Sequence, residues 1–376
     1  MFDLTVSEEG TALVELVHAF AERELRGAAR DAESARAVPA ATASALHALG
    51  VTCPIPESLG GQGEPDLISY LMVVEELAWG DPGIAYAALG AGHAALLVAR
   101  CGTREQQQAL LPRFLAAEPA QAAVWLHEGF GRAPSELRTR AERTARGWAL
   151  SGAKAEALLA GPAGLTIAIA RRADTDALGA FAWTGEPPGV RVTRDDRALG
   201  RIALGCASTG SVTLDGVSLP ADACLAGGDD LALVRALARI RLTLPALAIG
   251  CARAALEFAR RYATERVAFG RPIAAFQGVV FPLADQDMAV EAARLELWEV
   301  ARVVETSRDP AAIERLCAGA IAHAGEAALR ATREGVQTLG GHGFICDYPI
   351  ERWYRGAAAL AAIDFDPIAA PAVAFV

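Results

Sequence analysis

Residue types that build metal centres or covalent scaffolds are present only in patterns of no use for either. The seven cysteines, at 53, 101, 206, 224, 251, 317 and 346, are odd in number and scattered, with no CxxC pair and no Cys/His cluster. This argues against structural zinc and a disulfide framework, and predicts a reduced, cytoplasmic protein. The six histidines, at 18, 47, 93, 127, 323 and 342, are isolated too, so no metal site is predicted. There is no GxGxxG opening a βα unit, no Walker A loop, no GxSxG elbow and no HExxH. The common nucleotide-binding and hydrolase readings lose their support. Positive charge is also short: 35 Lys and Arg stand against 45 Asp and Glu, a formal charge of −10. A nucleic acid or an anionic membrane is therefore not an expected partner, and a polyanionic ligand must find a local basic pocket. The N-terminus carries Glu8 and Glu9 where a signal peptide would be basic, so none is expected.

What is there is a 376-residue chain, 53% hydrophobic and 21% charged, enough for two or three packed domains. No charge occurs from 82 to 99, but Gly83, Gly90, Gly92 and His93 interrupt that run. A buried core helix is expected there, and no membrane span. The first stretch opens on a capping-box pattern, Thr5 to Glu8, with Leu13, Leu16, Val17 and Phe20 at helical spacing. Helices continue to about 118, broken at 53–63 by Pro and Gly. Leu165, Ile167 and Ile169, then Val190 and Val192, then Val212 and Leu214 alternate as strands do. The helical period returns with Leu233, Leu237, Ile240, Leu244, Leu247 and Cys251 and runs to the glycines at 340–343. The expected fold class is multidomain α+β: an all-α domain over 1–118, a middle β-barrel or sandwich domain over 119–227, and a four-helix bundle over 228–376.

Two segments of the last third can carry chemistry. Tyr262 to Pro272, followed by Phe276-Gln277, ends a long helix in a turn rich in guanidinium and aromatic groups, as an anion clamp beside a planar ring requires. Gln337 to Phe344 closes a helix with glycines that let a ligand approach the main chain. A C-capped helix and a solvated arginine read the same way, and the residues alone leave both readings open.

Together these segments resemble the acyl-CoA dehydrogenase family. Its C-terminal domain carries Tyr-x-x-x-Arg-x-x-Phe-Gly and Phe-Gln, then Gln-x-x-Gly-Gly-x-Gly-Phe/Tyr, then Tyr-Pro-x-Glu-Arg. Here these are Tyr262 to Gly270 with Phe276-Gln277, Gln337 to Phe344, and Tyr348 to Arg352. Pro56 to Gly63, Glu75-Glu76-Leu77 with Asp81-Pro82, Leu199-Gly200, Thr209, and Leu214 to Pro220 extend the resemblance over most of the chain.

The resemblance implies a tetrameric flavoprotein with FAD at a domain junction and across a subunit boundary, acting on an acyl-CoA thioester. A carboxylate takes the α-proton while the β-hydrogen leaves as hydride to the flavin. Arg266 and Phe269 are expected to reach a neighbour's FAD, with Arg266 on the pyrophosphate, and Gln277, Gln337, Gly340 and Gly341 to line its adenosine end. The flavin wall departs from the family. Leu126 to Ala133 replaces Thr-Glu-Pro-x-x-Gly-Ser-Asp, and Glu156 and Leu158 replace the Trp and Thr of Trp-Ile-Thr. Asp364 stands where the family's catalytic glutamate is expected, one methylene shorter, and Ile240 holds the alternative position. Two readings compete: a partner subunit of a heterotetramer that completes a neighbour's FAD site, slightly favoured, and a self-sufficient homotetrameric dehydrogenase using Asp364 as base. A flavin-dependent oxygenase and a non-redox binding or scaffold protein on the same fold are further alternatives; the electron acceptor and acyl chain are not identified.

Overall fold

The protein is described here from a computed structural model, over residues 6–129, 137–194 and 203–364. Six α-helices come first: α1 Glu8–Phe20, α2 Arg26–Ala35, α3 Ala40–Leu49, α4 Leu67–Gly80, α5 Pro82–Cys101 and α6 Arg104–Leu110. A single π turn, Ala21–Leu25, joins the first two. The N-cap of α1 is Ser7, whose side chain accepts from Gly10 N, so the capping residue is two positions later than the expected Thr5. Asp66 and Asp81 cap α4 and α5 in the same manner, and Pro82 fills the first helical position, where no amide is needed. Helix α5 is long and apolar enough to cross a membrane by composition, yet 72% of its apolar window is buried against other elements of the chain.

Among the described residues, the middle domain is one curled seven-stranded sheet: β1 Ala122–Trp125, β2 Arg140–Thr144, β3 Gly147–Leu158, β4 Leu165–Arg172, β5 Leu178–Thr184, β6 Val190–Thr193 and β7 Thr209–Leu219. The order is β1-β4-β2-β3-β7-β6, with β5 on the other edge of β4. β1 and β4 run parallel, with Ala122 opposite Leu165, while β3 and β7 are antiparallel. The alternating residues at 165–169 and 212–214 lie in β4 and β7 as their period predicts. β3 carries register shifts between Leu150 and Gly152 and between Lys154 and Ala157. Glu156, at φ +48°, occupies the second irregularity.

Helices α7 Asp230–Glu265, α8 Gln277–Thr306, α9 Pro310–Leu339 and α10 Ile350–Ile363 form the last domain. The periodic residues Leu233 to Cys251 are all buried. Helix α7 packs so closely on α4 that a Cβ on Gly250 would sit 2.2 Å from the Glu75 carbonyl oxygen. One hydrophobic core therefore runs from the first helices through the bundle, and a second joins α5 and α7 to the sheet.

Candidate functional site

The cleft where the three domains meet is lined by Tyr86 and His93 of α5, Val124 of β1 with Leu126 and His127 just after it, Ala155 to Leu158 of β3, Ile240, Thr243 and Leu244 of α7, and Ile363. Asp364 follows the end of α10 and turns into this region. Its carboxylate is gripped bidentately by Arg241, with Nη2 to Oδ2 at 2.8 Å and Nε to Oδ1 at 3.1 Å. The two side chains are 4% and 2% exposed. His127 Nδ1 lies 3.4 Å from the same carboxylate. Burial alone would lower the Arg241 pKa, but the charge and hydrogen bonds of Asp364 outweigh it and hold it raised. Across the cleft, Thr243 Oγ1 meets His93 Nε2 at 3.3 Å. Burial pushes both His93 and His127 down to about 4, so both imidazoles are neutral at pH 7.

A second buried pair braces the wall of this cleft. Lys154 Nζ lies 3.1 Å from Glu128 Oε1, with side chains 0% and 3% exposed. Burial lowers Lys154 to about 8. Burial works against ionisation of Glu128 as well, but Lys154 and donation from Thr139 and Arg138 hold it below the usual carboxylate range. Lys154 also donates to the Leu126 carbonyl at 3.1 Å, and Ala155 N to the His127 carbonyl at 3.0 Å, which fixes the 126–128 segment to β3. Phe130 to Ala133, the rest of that expected flavin loop, lie outside the described residues.

Several motif residues fasten domains. Arg253 of α7 pairs with Glu75 and Glu76, Arg294 of α8 with Glu75, and Arg352 with Asp81 at 3.0 Å. The guanidinium of Arg26 lies 3.3 Å over the Trp79 ring.

The other expected site residues gather at one end of the bundle. Successive long helices reverse direction, so the C-terminal ends of α7 and α9 and the start of α8 share that end. Arg266 is exposed just after α7, and a hairpin follows, β8 Val267–Ala268 with β9 Arg271–Pro272. Its two turn residues, Phe269 at φ +52° and Gly270 at φ +80°, give the type I′ geometry that fits the strand twist. A bulky residue at positive φ is a strained placement, and it projects the Phe269 ring to 95% exposure. Gln277 is exposed in the first turn of α8, and Gln337, Gly340 and Gly341 are exposed at the end of α9. The Tyr262 hydroxyl and His342 Nδ1, 2.8 Å apart, tie the α7 side of this end to the α9 side.

These two regions differ in whether they fit a flavin dinucleotide. At the bundle end, a Cβ built on Gly340, Gly341 or Gly270 would meet nothing within 4 Å, so backbone is open to an incoming group beside an exposed guanidinium. That suits a phosphate-bearing, planar ligand. The interdomain cleft holds a cavity of only about 30 Å³. That is room for one or two waters, far below the several hundred Å³ of ordinary ligand pockets. A tricyclic ring does not fit there. Among the described residues, no group of three or more His, Cys, Asp or Glu is arranged to hold a metal ion.

Sequence reasoning missed Arg241, His127 and the Lys154–Glu128 pair as parts of one site. The available signal for Arg241 was a charge inside an otherwise apolar helical stripe, next to Ile240.

A helical domain, a curled sheet and a helical bundle meeting at a buried polar cleft define a class of three-domain proteins. Family models for the acyl-CoA dehydrogenase N-terminal domain and C-terminal domain match residues 7–118 and 228–364. A probable acyl-CoA dehydrogenase, FadE25, of Mycobacterium tuberculosis is 32% identical over 367 residues, covering 95% of this chain and 92% of that protein. An acyl-CoA dehydrogenase of Bacillus subtilis is 30% identical over 368 residues, covering 94% and 93%. The butyryl-CoA dehydrogenase of Megasphaera elsdenii superposes with TM-score 0.83 at 25% identity over 99% of this chain and 98% of that one. The chain belongs to the acyl-CoA dehydrogenase family.

Proposed function

We propose that this chain is a subunit of an FAD-dependent assembly that dehydrogenates an acyl-CoA thioester, and that it acts as the partner which completes a neighbouring subunit's FAD site. The carrying observation is the contrast between its two regions: the bundle end presents Arg266, Phe269, Gln277, Gln337, Gly340 and Gly341 outward, while its own cleft is filled. In this reading Arg266 neutralises the pyrophosphate, the glycine turn admits the adenosine end, and the Arg241–Asp364 pair is structural. FAD, when bound, supplies the acceptor for the hydride leaving the β-carbon, and the base that takes the α-proton belongs to the neighbour. All seven cysteines are free thiols, which supports a cytoplasmic location.

The test is to purify the chain alone and with a co-expressed family member. The expected result is a colourless, inert chain alone and a yellow, active heterotetramer in company. A yellow, active homo-oligomer of this chain overturns the reading. One observation favours the self-sufficient alternative: Asp364 brings a carboxylate to the edge of the cleft, 3.4 Å from His127 Nδ1. That alternative requires activity of the chain alone to disappear in Asp364→Ala.

A further inference from the structure

Resting on the half-site reading above, we propose that His342 is a positioning residue, which through Tyr262 and Tyr348 sets the Gly340–Gly341 turn and so the grip on the adenosine end of FAD. The His342 ring stacks on Tyr348, centroids 5.0 Å apart and planes 17° from parallel. Tyr262 meets both rings edge-on, at interplanar angles of 89° and 87°, and shares the 2.8 Å hydrogen bond with His342 Nδ1. The imidazole is thus held by a face and an edge as well as by a polar contact.

The turn itself has little else to hold it on its outer side. Gly340 has φ +57° and ψ −129°, the geometry of the first central residue of a type II′ turn, which needs glycine. Neither Gly340 nor Gly341 has a neighbour that would touch a Cβ. On its inner side, Gly343 packs against Val336, where a Cβ would fall 2.5 Å from the carbonyl oxygen. His342 lies between the open pair and this packed residue, so fixing its ring fixes the turn. Tyr348 is in turn tied to the N-terminal domain, its carbonyl accepting from Arg30 Nη2 at 3.1 Å. A donor surface already in place loses less entropy when a ligand arrives, which slows the ligand's release.

The experiment uses the assembly of this chain with its co-expressed family partner and follows FAD release by flavin fluorescence. His342→Phe and Tyr262→Phe, which keep the rings and remove the hydrogen bond, are each expected to speed release about three- to tenfold, the factor equivalent to one net hydrogen bond. The double variant is expected to be no faster than either single one, and His342→Asn, which keeps an acceptor for Tyr262, to recover most of the loss. Oligomer size stays unchanged and the melting temperature falls by no more than about 4 °C, as the loss of one hydrogen bond allows. Unaltered release in both single variants, while Arg266→Ala sheds FAD, overturns the role of His342 and leaves the half-site reading standing. Retention of FAD in Arg266→Ala, or a wild-type assembly without FAD, overturns both.

Discussion

Arg241 and Asp364, 123 positions apart in sequence, form a buried bidentate ion pair beside the cleft where the three domains meet. The pair joins α7 to the residue that follows α10, and the chain neighbours Ile240 and Ile363 line the cleft beside it. Breaking a buried pair at one partner leaves the other charged and dry, which is costlier than removing both.

Arg241→Ala is expected to destabilise the chain by about 3–5 kcal/mol, read by urea unfolding. Arg241→Met combined with Asp364→Leu is expected to recover most of that loss. A double variant as unstable as Arg241→Ala alone would show that the pair's partners, not its charges, hold the cleft.

Asp364→Asn separates the two functional readings. In the assembly, flavin content and turnover are expected to change less than about twofold, since the base lies in the neighbouring subunit. A working base would instead lose on the order of a hundredfold or more in turnover.

Acid is expected to weaken the fold through His93 and His127. Both have folded pKa values of about 4 against about 6.5 in the unfolded chain. Between those values the unfolded state binds the extra protons, so stability is full above pH 6.5 and falls as pH drops towards 4. Each histidine contributes a slope of about 1.4 kcal/mol per pH unit in mid-window. Titrating unfolding free energy from pH 7.5 to 4.5 measures this, and His93→Phe is expected to flatten the curve by about one proton's worth.

Phe269→Asn tests the strained hairpin. Asparagine tolerates positive φ and suits a type I′ turn, so the isolated chain is expected to gain up to about 1 kcal/mol. The assembly is expected to hold FAD less tightly, because the exposed ring is lost. Thermal melts of the chain and FAD retention of the assembly give the two readouts, and tighter retention would contradict an aromatic contact there.

The sequence by itself determined the helical, then β, then helical order, because the apolar period is a local property of each segment. It also pointed to Arg266, Phe269, Gln277, Gln337, Gly340 and Gly341, which fall in short motifs at the ends of three helices. Tertiary structure alone decided that Asp364 faces Arg241, that His127 joins them, and that Glu128 has Lys154 as its partner. These pairings span from 26 to 237 positions and depend on how the sheet and bundle close, which no local period encodes. The same holds for the ring strip of Tyr262, His342 and Tyr348, whose members belong to a helix and two later turns that meet only once the bundle has packed.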